Sequence, residues 1–283
     1  MTICYNLMMP LGERTVSGRN IWDGSKPVPL HGSGEVRPDL IKIDLMGGRN
    51  TFGLDLGCGT GRSTEILARE LGTKNIVALD ISHIGLQEVT TTNKKVEASV
   101  TRLPFVDGVF DWVNLTGLMT NLTDRNPKVG REMRKNAIQE AVRVLRVGGV
   151  LLISDFARTH YLSRYRDNYK QHALITDELG TLAIFDSEEH SPFNGISLTD
   201  EEVKGYKDSP YLVRYARHFL PNELRRLVEE AGCWIDSLTL QMGKRPSGRT
   251  IDQVIIPGIK GYVPKEIDYQ GMYRAILEEF GKR

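Results

Sequence analysis

No stretch of this 283-residue chain approaches the roughly 18 to 20 consecutive apolar residues of a membrane helix. None near the N-terminus joins a basic region to an apolar core in the manner of a signal peptide. A cytoplasmic location without a membrane partner is therefore expected. Cysteine is scarce: Cys4, Cys58 and Cys233 are odd in number and widely spaced, which fits neither a disulfide framework nor a zinc site, and no metal is expected. An excess of one charge is missing too, since 37 basic residues face 36 acidic ones for a net charge of +1. Proteins held to nucleic acid by phosphate contacts usually show a basic balance or a basic face, so a nucleic-acid partner is disfavoured, with room left only for a local patch. Repeats and low-complexity tracts are also absent. What is there is ordinary for a globular protein, 40% hydrophobic and 26% charged residues, in a length that suits one large domain with an insertion or two small ones.

The most informative stretch is Leu54-Asp55-Leu56-Gly57-Cys58-Gly59-Thr60-Gly61-Arg62-Ser63-Thr64: an apolar run, an acid, glycines at alternate positions, then a helix-like segment. Glycine lacks a Cβ and tolerates positive φ, so such a turn brings backbone close to a ligand. Dinucleotide folds need G-x-G-x-x-G; Gly57 and Gly59 fit, but the third place holds Arg62. A P-loop needs G-x-x-x-x-G-K-[ST], yet the residue five before Gly61 is Leu56, and Arg62 stands where the lysine belongs. Asp80 closes the next apolar run, Ile76-Val77-Ala78-Leu79, 23 residues after Gly57. An acid at that place accepts hydrogen bonds from both hydroxyls of a ribose. The loop is thus expected to hold a nucleoside without a pyrophosphate. Cys58 inside it reads as a small, partly buried residue rather than a reactive thiol.

This pattern resembles motif I and the acidic motif II of class I S-adenosylmethionine-dependent methyltransferases. Further matches stand in the right order: Leu103-Pro104-Phe105, then Asp107-Gly108-Val109-Phe110-Asp111-Trp112-Val113, then Ala141 to Leu151 around Gly148-Gly149, and His218-Phe219-Leu220-Pro221 leading to Ala231-Gly232-Cys233. They fall within residues 51–156 and 219–256, about half the chain, and are similar to the small methyltransferases that carry an "LPF…FD" signature. That group usually has an aspartate four residues before the leucine of Leu-Pro-Phe, where it meets the adenine amino group; here the residue is Ser99. Its hydroxyl, or the Val100 backbone, is left to meet the adenine edge. The resemblance implies S-adenosyl-L-methionine as cofactor, with contacts at Asp55, Gly57, Cys58, Gly59, Gly61, Asp80, Ile81, Ser99, Val100, Asn114 and Leu115. Asn114 to Thr116 would line the methyl site.

Hydropathy patterning predicts strands at Phe52–Leu56, up to Asp80, at Val96–Thr101, Phe110–Leu115 and Val150–Ile153, with helices at Ser63–Leu71, after Ser82, and at Val129–Leu145. The alternation implies an α/β, doubly wound fold. The resemblance makes it a mostly parallel, seven-stranded, Rossmann-like sheet with a C-terminal antiparallel hairpin and a cap inserted after strand five. The expected units are an N-terminal arm (1–50) with a short helix near Asp39 to Met46, a cofactor-binding core (51–156), the cap (157–218), core completion (219–256) and a tail (257–283) with a helix from Tyr269 to Phe280. Completion comprises a helix from Pro221 to Ala231 and strands Trp234–Gln241 and Thr250–Ile256 around a turn at 243–248.

Residues 157–218 hold six of the ten tyrosines and four of the six histidines. Tyr161, Tyr165, Tyr169 and His172 fall at i, i+4, i+8 and i+11, one face of a helix. That face either packs the cap onto the core or walls an acceptor, with His172 or the Tyr169 hydroxyl as the candidate catalytic group that orients it or takes its proton. His160 and His190 are alternatives with surface or structural readings. Ligands of open α/β sheets sit beyond the carboxyl ends of the strands, the edge from which this insertion starts. The leading expectation is methyl transfer to a small-molecule acceptor, since residues 157–218 carry 8 basic and 10 acidic residues and form no polyanion surface. An RNA or protein methyltransferase is one alternative, using a C-terminal stretch (243–283) with 8 basic and 5 acidic residues. A non-catalytic cofactor-binding subunit is the other, kept open by Ser99. In the arm, Tyr5, Arg14, Arg19 and Trp22 are able to close over the cofactor or simply to pack.

Overall fold

The apolar run before the glycine loop becomes β1 (Gly53–Leu56), and all four residues are buried because helices cover both faces of the sheet. This computed structural model describes residues 50–158, 163–194, 197–235, 239–244 and 250–260. In it β1 lies between β2 (Ile76–Asp80) and β4 (Phe110–Thr116), parallel to both. β3 (Lys95–Glu97) flanks β2, and β5 (Leu145–Phe156) flanks β4, also in parallel. Beyond β5 the sheet turns antiparallel with β10 (Thr250–Lys260), giving the order β3-β2-β1-β4-β5-β10-β8.

Among the described residues the sheet holds eight strands, where seven are expected. The run expected as one strand over Trp234–Gln241 is β8 (Cys233–Ile235) and β9 (Thr239–Lys244), which pair with opposite ends of the long β10. Strand three is shorter than its apolar pattern, because the Ser99 hydroxyl accepts the Thr101 N–H and turns the chain. β5 starts earlier than expected and runs through Gly148, whose φ of 77° accommodates the register shift opposite Phe110 and Trp112.

Alternation along the strands sorts the side chains into two cores. Leu54, Leu56, Val77, Leu79, Val113, Leu115, Leu151 and Ile153 face α3 (Pro127–Val144) and α6 (Pro221–Glu230). Ile76, Trp112, Val150 and Leu152 face the other way, onto Leu67 and Leu71 of α1 (Arg62–Leu71). α1 ends at Gly72 in the left-handed conformation, and the Ser82 hydroxyl accepts the Gly85 N–H to start the short α2 (His83–Glu88), as the sequence predicts. α3 begins two residues before its apolar pattern because Asn126 caps it and Pro127 opens it.

Residues 157–218 build a small core of their own. α4 (Ser163–Thr176), α5 (Asp200–Gly205) and the antiparallel pair β6 (Thr181–Phe185) and β7 (Leu212–Arg217) enclose Ile175, Ala183, Val203, Leu212 and Tyr215. This unit docks on the loop after β4 and on α3. The Thr123 hydroxyl donates to the Tyr215 carbonyl (3.1 Å), and Glu178 receives Arg134 (3.0 Å) and Arg131 (3.2 Å). Arg217 donates to Glu223 of α6 at 2.9 Å, and Arg125 pairs with Asp208. The chain leaves this unit beside the end of β5, where Phe219 N–H donates to the Phe156 carbonyl at 2.8 Å. The arm before residue 50, the helix expected at Tyr269–Phe280, His160 and Tyr161 lie outside the described residues.

Burial opposes ionisation of Glu178, but Arg134 and Arg217, with Thr181 and Arg131, outweigh it and hold the carboxyl below its ordinary value of 4.5. Its ion pairs therefore stabilise the fold above that value and are lost as the pH falls through the lower folded pKa. Glu178→Gln leaves Arg134 and Arg217 buried without their shared counter-charge and is expected to cost about 3 kcal/mol at neutral pH. Urea unfolding across pH checks this; an unchanged acid limb would overturn it.

Candidate functional site

The parallel register of β1 and β4 sets Asp55 beside Asn114, and both side chains point to the α1 face of the sheet. Asp55 Oδ1 accepts from Asn114 Nδ2 at 2.7 Å, and Oδ2 accepts from the hydroxyls of Ser63 (2.7 Å) and Thr64 (2.6 Å) in the first turn of α1. Asp55 and Asn114 are fully buried. Burial lifts the Asp55 carboxyl above its ordinary value, against the pull of Thr64, Asn114 and Ser63. A single carboxylate thus ties together the end of β1, the start of α1 and the neighbouring strand. The Thr116 hydroxyl extends the set by donating to Asn114 Oδ1 at 3.0 Å.

The glycine loop hangs between these anchors. Gly57, Gly59 and Gly61 have φ of 68°, 53° and 90°, the left-handed region that other residues avoid. The Leu79 carbonyl accepts from both Gly57 N–H (2.8 Å) and Cys58 N–H (3.1 Å). Asp80 clamps the far side: Oδ2 accepts from Gly59 N–H and Oδ1 from Ser82 N–H, each at 2.8 Å. Asp80 is half-buried, and burial raises its carboxyl above the ordinary value against the backbone donors of Ser82, Gly59 and Ile81. A Cβ at Gly57 would stand 2.7 Å from Leu118 Cδ1, whereas one at Gly59 would meet nothing within 4 Å among the described residues. The loop therefore packs inward at Gly57 and faces open space at Gly59. No side chain caps α1 at Gly61, so its N-terminus presents backbone donors and positive potential on this side.

The remaining expected contacts are placed unequally. Ile81 and Ser99 are half-buried, and the Ser99 hydroxyl lies 2.8 Å from that of Thr101. Val100 and Leu115 have their side chains in the main core. The Cys58 side chain packs on Ala78, Leu86 and Val89, and burial pushes its thiol far above the ordinary value, so it is no nucleophile near neutral pH.

His172 is engaged inside the 157–218 unit: its Nδ1 accepts the Ala183 N–H at 3.1 Å, its ring lies 3.8 Å from that of Phe193, and burial pushes its pKa down to about 3. These contacts favour the packing reading of this helical face. Tyr169 is buried too, with its hydroxyl 2.8 Å from His218 Nδ1; His218 stacks on Phe156 at the carboxyl end of β5. His190, stacked on Tyr211 and 2.7 Å from Asp186, belongs to the exterior of the same unit. Tyr165 lies in α4, on a part of the helix whose side chains are outside the described residues.

The site also contains residues that the sequence pattern did not single out. Asn121, in the turn after β4, donates from Nδ2 to the Gly117 carbonyl (2.9 Å) and accepts from Arg214 Nη1 (2.7 Å). Asp155, buried near the end of β5, accepts the N–H groups of Thr120 and Phe156, and burial raises its pKa to about 7. The one available signal for them was their position just beyond or near strand ends.

Residues 54–153 match a family model described as a methyltransferase domain. The chain is 29% identical over 149 residues to the ubiquinone/menaquinone biosynthesis C-methyltransferase UbiE of Vibrio cholerae, across 48% of this chain and 53% of that protein. It is likewise 29% identical to UbiE of Escherichia coli, across 48% of this chain and 55% of that protein. The chain thus spans about half the length of these relatives. Among solved structures, an S-adenosylmethionine-dependent methyltransferase from Methanosarcina mazei shares the fold with a TM-score of 0.61 at 22% identity, over 77% of this chain and 96% of that one.

Asp55→Asn would set an amide donor against at least one of the three donors that now converge on the carboxylate. A loss of about 2 kcal/mol in urea unfolding is expected, with faster hydrogen exchange at the Gly59 amide. Unchanged stability and exchange would show that the carboxylate does not hold the loop.

Proposed function

We propose that this chain, whose residues 54–153 match a methyltransferase-domain model, is a class I S-adenosylmethionine-dependent methyltransferase that transfers a methyl group from S-adenosyl-L-methionine to a small-molecule acceptor. The observation that carries this reading is the pairing of an open face at Gly59 with the half-buried Asp80 at its rim. That pairing fits a ribose and asks for no pyrophosphate. Asp80 accepts the backbone N–H groups of Gly59, Ser82 and Ile81, and its two oxygens keep lone-pair capacity for a ribose hydroxyl. Ile81 flanks the adenine, and Ser99 with the Val100 backbone meets its edge. Gly57, Gly59 and Gly61 form the bed, and the uncapped start of α1 favours the methionine carboxylate. Asp55 and Asn114 act as positioning residues, because their polar atoms are engaged with one another and with α1. The Cys58 and Leu115 contacts would come from backbone.

The cofactor, when bound, supplies an electrophilic methyl group on a sulfonium. The protein then has to hold an acceptor lone pair in line with it and keep water out. The turn after β4 and the 157–218 unit docked upon it suit that task and act as the cap, since they meet at the carboxyl ends of β4 and β5. Where an acceptor must lose a proton, the Tyr169–His218 pair beside Phe156 replaces His172 as the group in place to take it. The balance of 8 basic and 10 acidic residues over 157–218 favours a small molecule over RNA.

Asp80→Ala is expected to weaken S-adenosylmethionine binding roughly thirtyfold or more in calorimetry, with circular dichroism unchanged; full affinity would refute the ribose role. Incubation with methyl-labelled cofactor and a fractionated cell extract is expected to label the small-molecule fraction. Label in RNA or protein would overturn the acceptor class, and absence of cofactor binding would overturn the donor assignment.

A further inference from the structure

The arginines around this site differ in one respect. Arg134 pairs with Glu178 (3.0 Å), Arg217 with Glu223 (2.9 Å), and Arg143 with Glu140 (2.6 Å) and Asp107 (2.8 Å). Arg134 and Arg217 are buried and Arg143 is half-buried; Arg214 of β7 is half-buried as well, yet has no carboxylate within ion-pair distance among the described residues. Its one hydrogen bond runs from Nη1 to the neutral amide of Asn121 at 2.7 Å. A desolvated cation without a counter-charge is costly, and burial alone pushes its pKa below the ordinary value.

The position of this cation is specific. Asn121 donates in turn to the Gly117 carbonyl at 2.9 Å, so the guanidinium stands two hydrogen bonds from the residue that follows β4. Gly117 has φ of 64° and, among the described residues, nothing within 4 Å of where a Cβ would lie, so they leave this end of the strand open. β7 is held there by the Thr123 hydroxyl on the Tyr215 carbonyl, next in sequence to Arg214. A guanidinium has five donors in a planar fork that matches a carboxylate, and one of them is occupied by Asn121.

We propose that Arg214, oriented by Asn121, is the anion-recognising residue of the acceptor site, and that the methyl acceptor carries an anionic oxygen, a carboxylate or an ionised hydroxyl. This rests on the methyl-transfer reading and adds the charge class of the acceptor to it. The bound anion completes the ion pair that Arg214 lacks, and its binding fixes the acceptor at the end of β4. A neutral analogue of the same shape leaves the guanidinium uncompensated and binds less well.

The test uses protein loaded with S-adenosylhomocysteine and titrated by calorimetry with 4-hydroxybenzoate or with its neutral counterpart 4-hydroxybenzamide. The acid is expected to bind roughly tenfold or more tightly than the amide, and Arg214→Gln to remove that advantage. Arg214→Lys keeps the charge but loses the fork, and is expected to fall between the two. Affinity for S-adenosylhomocysteine and the melting temperature stay at wild-type values in both variants. Equal binding of acid and amide, no binding of either, or wild-type binding of the acid by Arg214→Gln would overturn the proposal. A melting temperature lowered by Arg214→Gln with acid binding intact would overturn it in favour of a purely structural arginine. Failure to bind S-adenosylhomocysteine at all would instead sink the methyl-transfer reading beneath it.

Discussion

A single buried carboxylate holds the donor half of this protein in shape. Asp55 ends β1, receives two hydroxyls from the first turn of α1 and takes the amide of Asn114 from β4. The chain between Leu56 and Arg62 must therefore leave and return within the span of one side chain. Only a left-handed, glycine-rich turn closes so short a path while keeping its backbone donors on the outside. Asp80 completes the clamp from β2 by accepting the Gly59 N–H. The glycine loop proposed to hold the nucleoside is thus built almost wholly of backbone, with two acids fixing its edges from neighbouring strands.

The other half of the molecule depends on a different kind of interaction. Residues 157–218 fold around their own apolar core and meet the sheet mainly through charge and hydrogen bonds, with Glu178 as the centre of three arginines. Such a junction has directional bonds to satisfy, which fixes how the unit sits on the turn after β4. Where the unit's own carboxylates neutralise arginines, the contact is closed and structural. At Arg214 no carboxylate among the described residues does so, and the guanidinium stands beside Asn121 and Gly117, the place proposed for the acceptor. The proposed function would thus divide between the two halves: local backbone shape for the donor, side chains from distant strands for the acceptor.

The features legible in the sequence were those set by near neighbours. The glycine loop, Asp80 at the end of its strand, the Ser82 cap and the Gly72 terminus all rest on spacings of a few residues, and local sterics or capping determine them. Two elements were misplaced because a partner elsewhere overrides the local pattern. Gly148-Gly149 read as a break before a strand but lie inside β5, where a bulge opposite β4 needs a positive φ. The run over 234–241 read as one strand, yet β10 takes it as two because it is long enough to pair with both. His172 shared a helical face with tyrosines that left packing and an acceptor wall both open, and β6 offers that face a backbone N–H and a packed interior.

The sequence by itself determined the strand and helix alternation, the donor loop and the acid that bounds it, because each is encoded by residue types within one βαβ unit. The pairing of Asp55 with Asn114 came from strand order, since only β1 beside β4 in that register puts the two side chains in contact. The joining of Arg214 to Asn121 came from docking: 93 residues separate them, and no local pattern records which arginine of a strand finds a carboxylate and which finds an amide. Tertiary structure decided the surroundings of Arg214 because charge compensation is a property of the assembled surface, whereas the turn after β1 is a property of its own glycines.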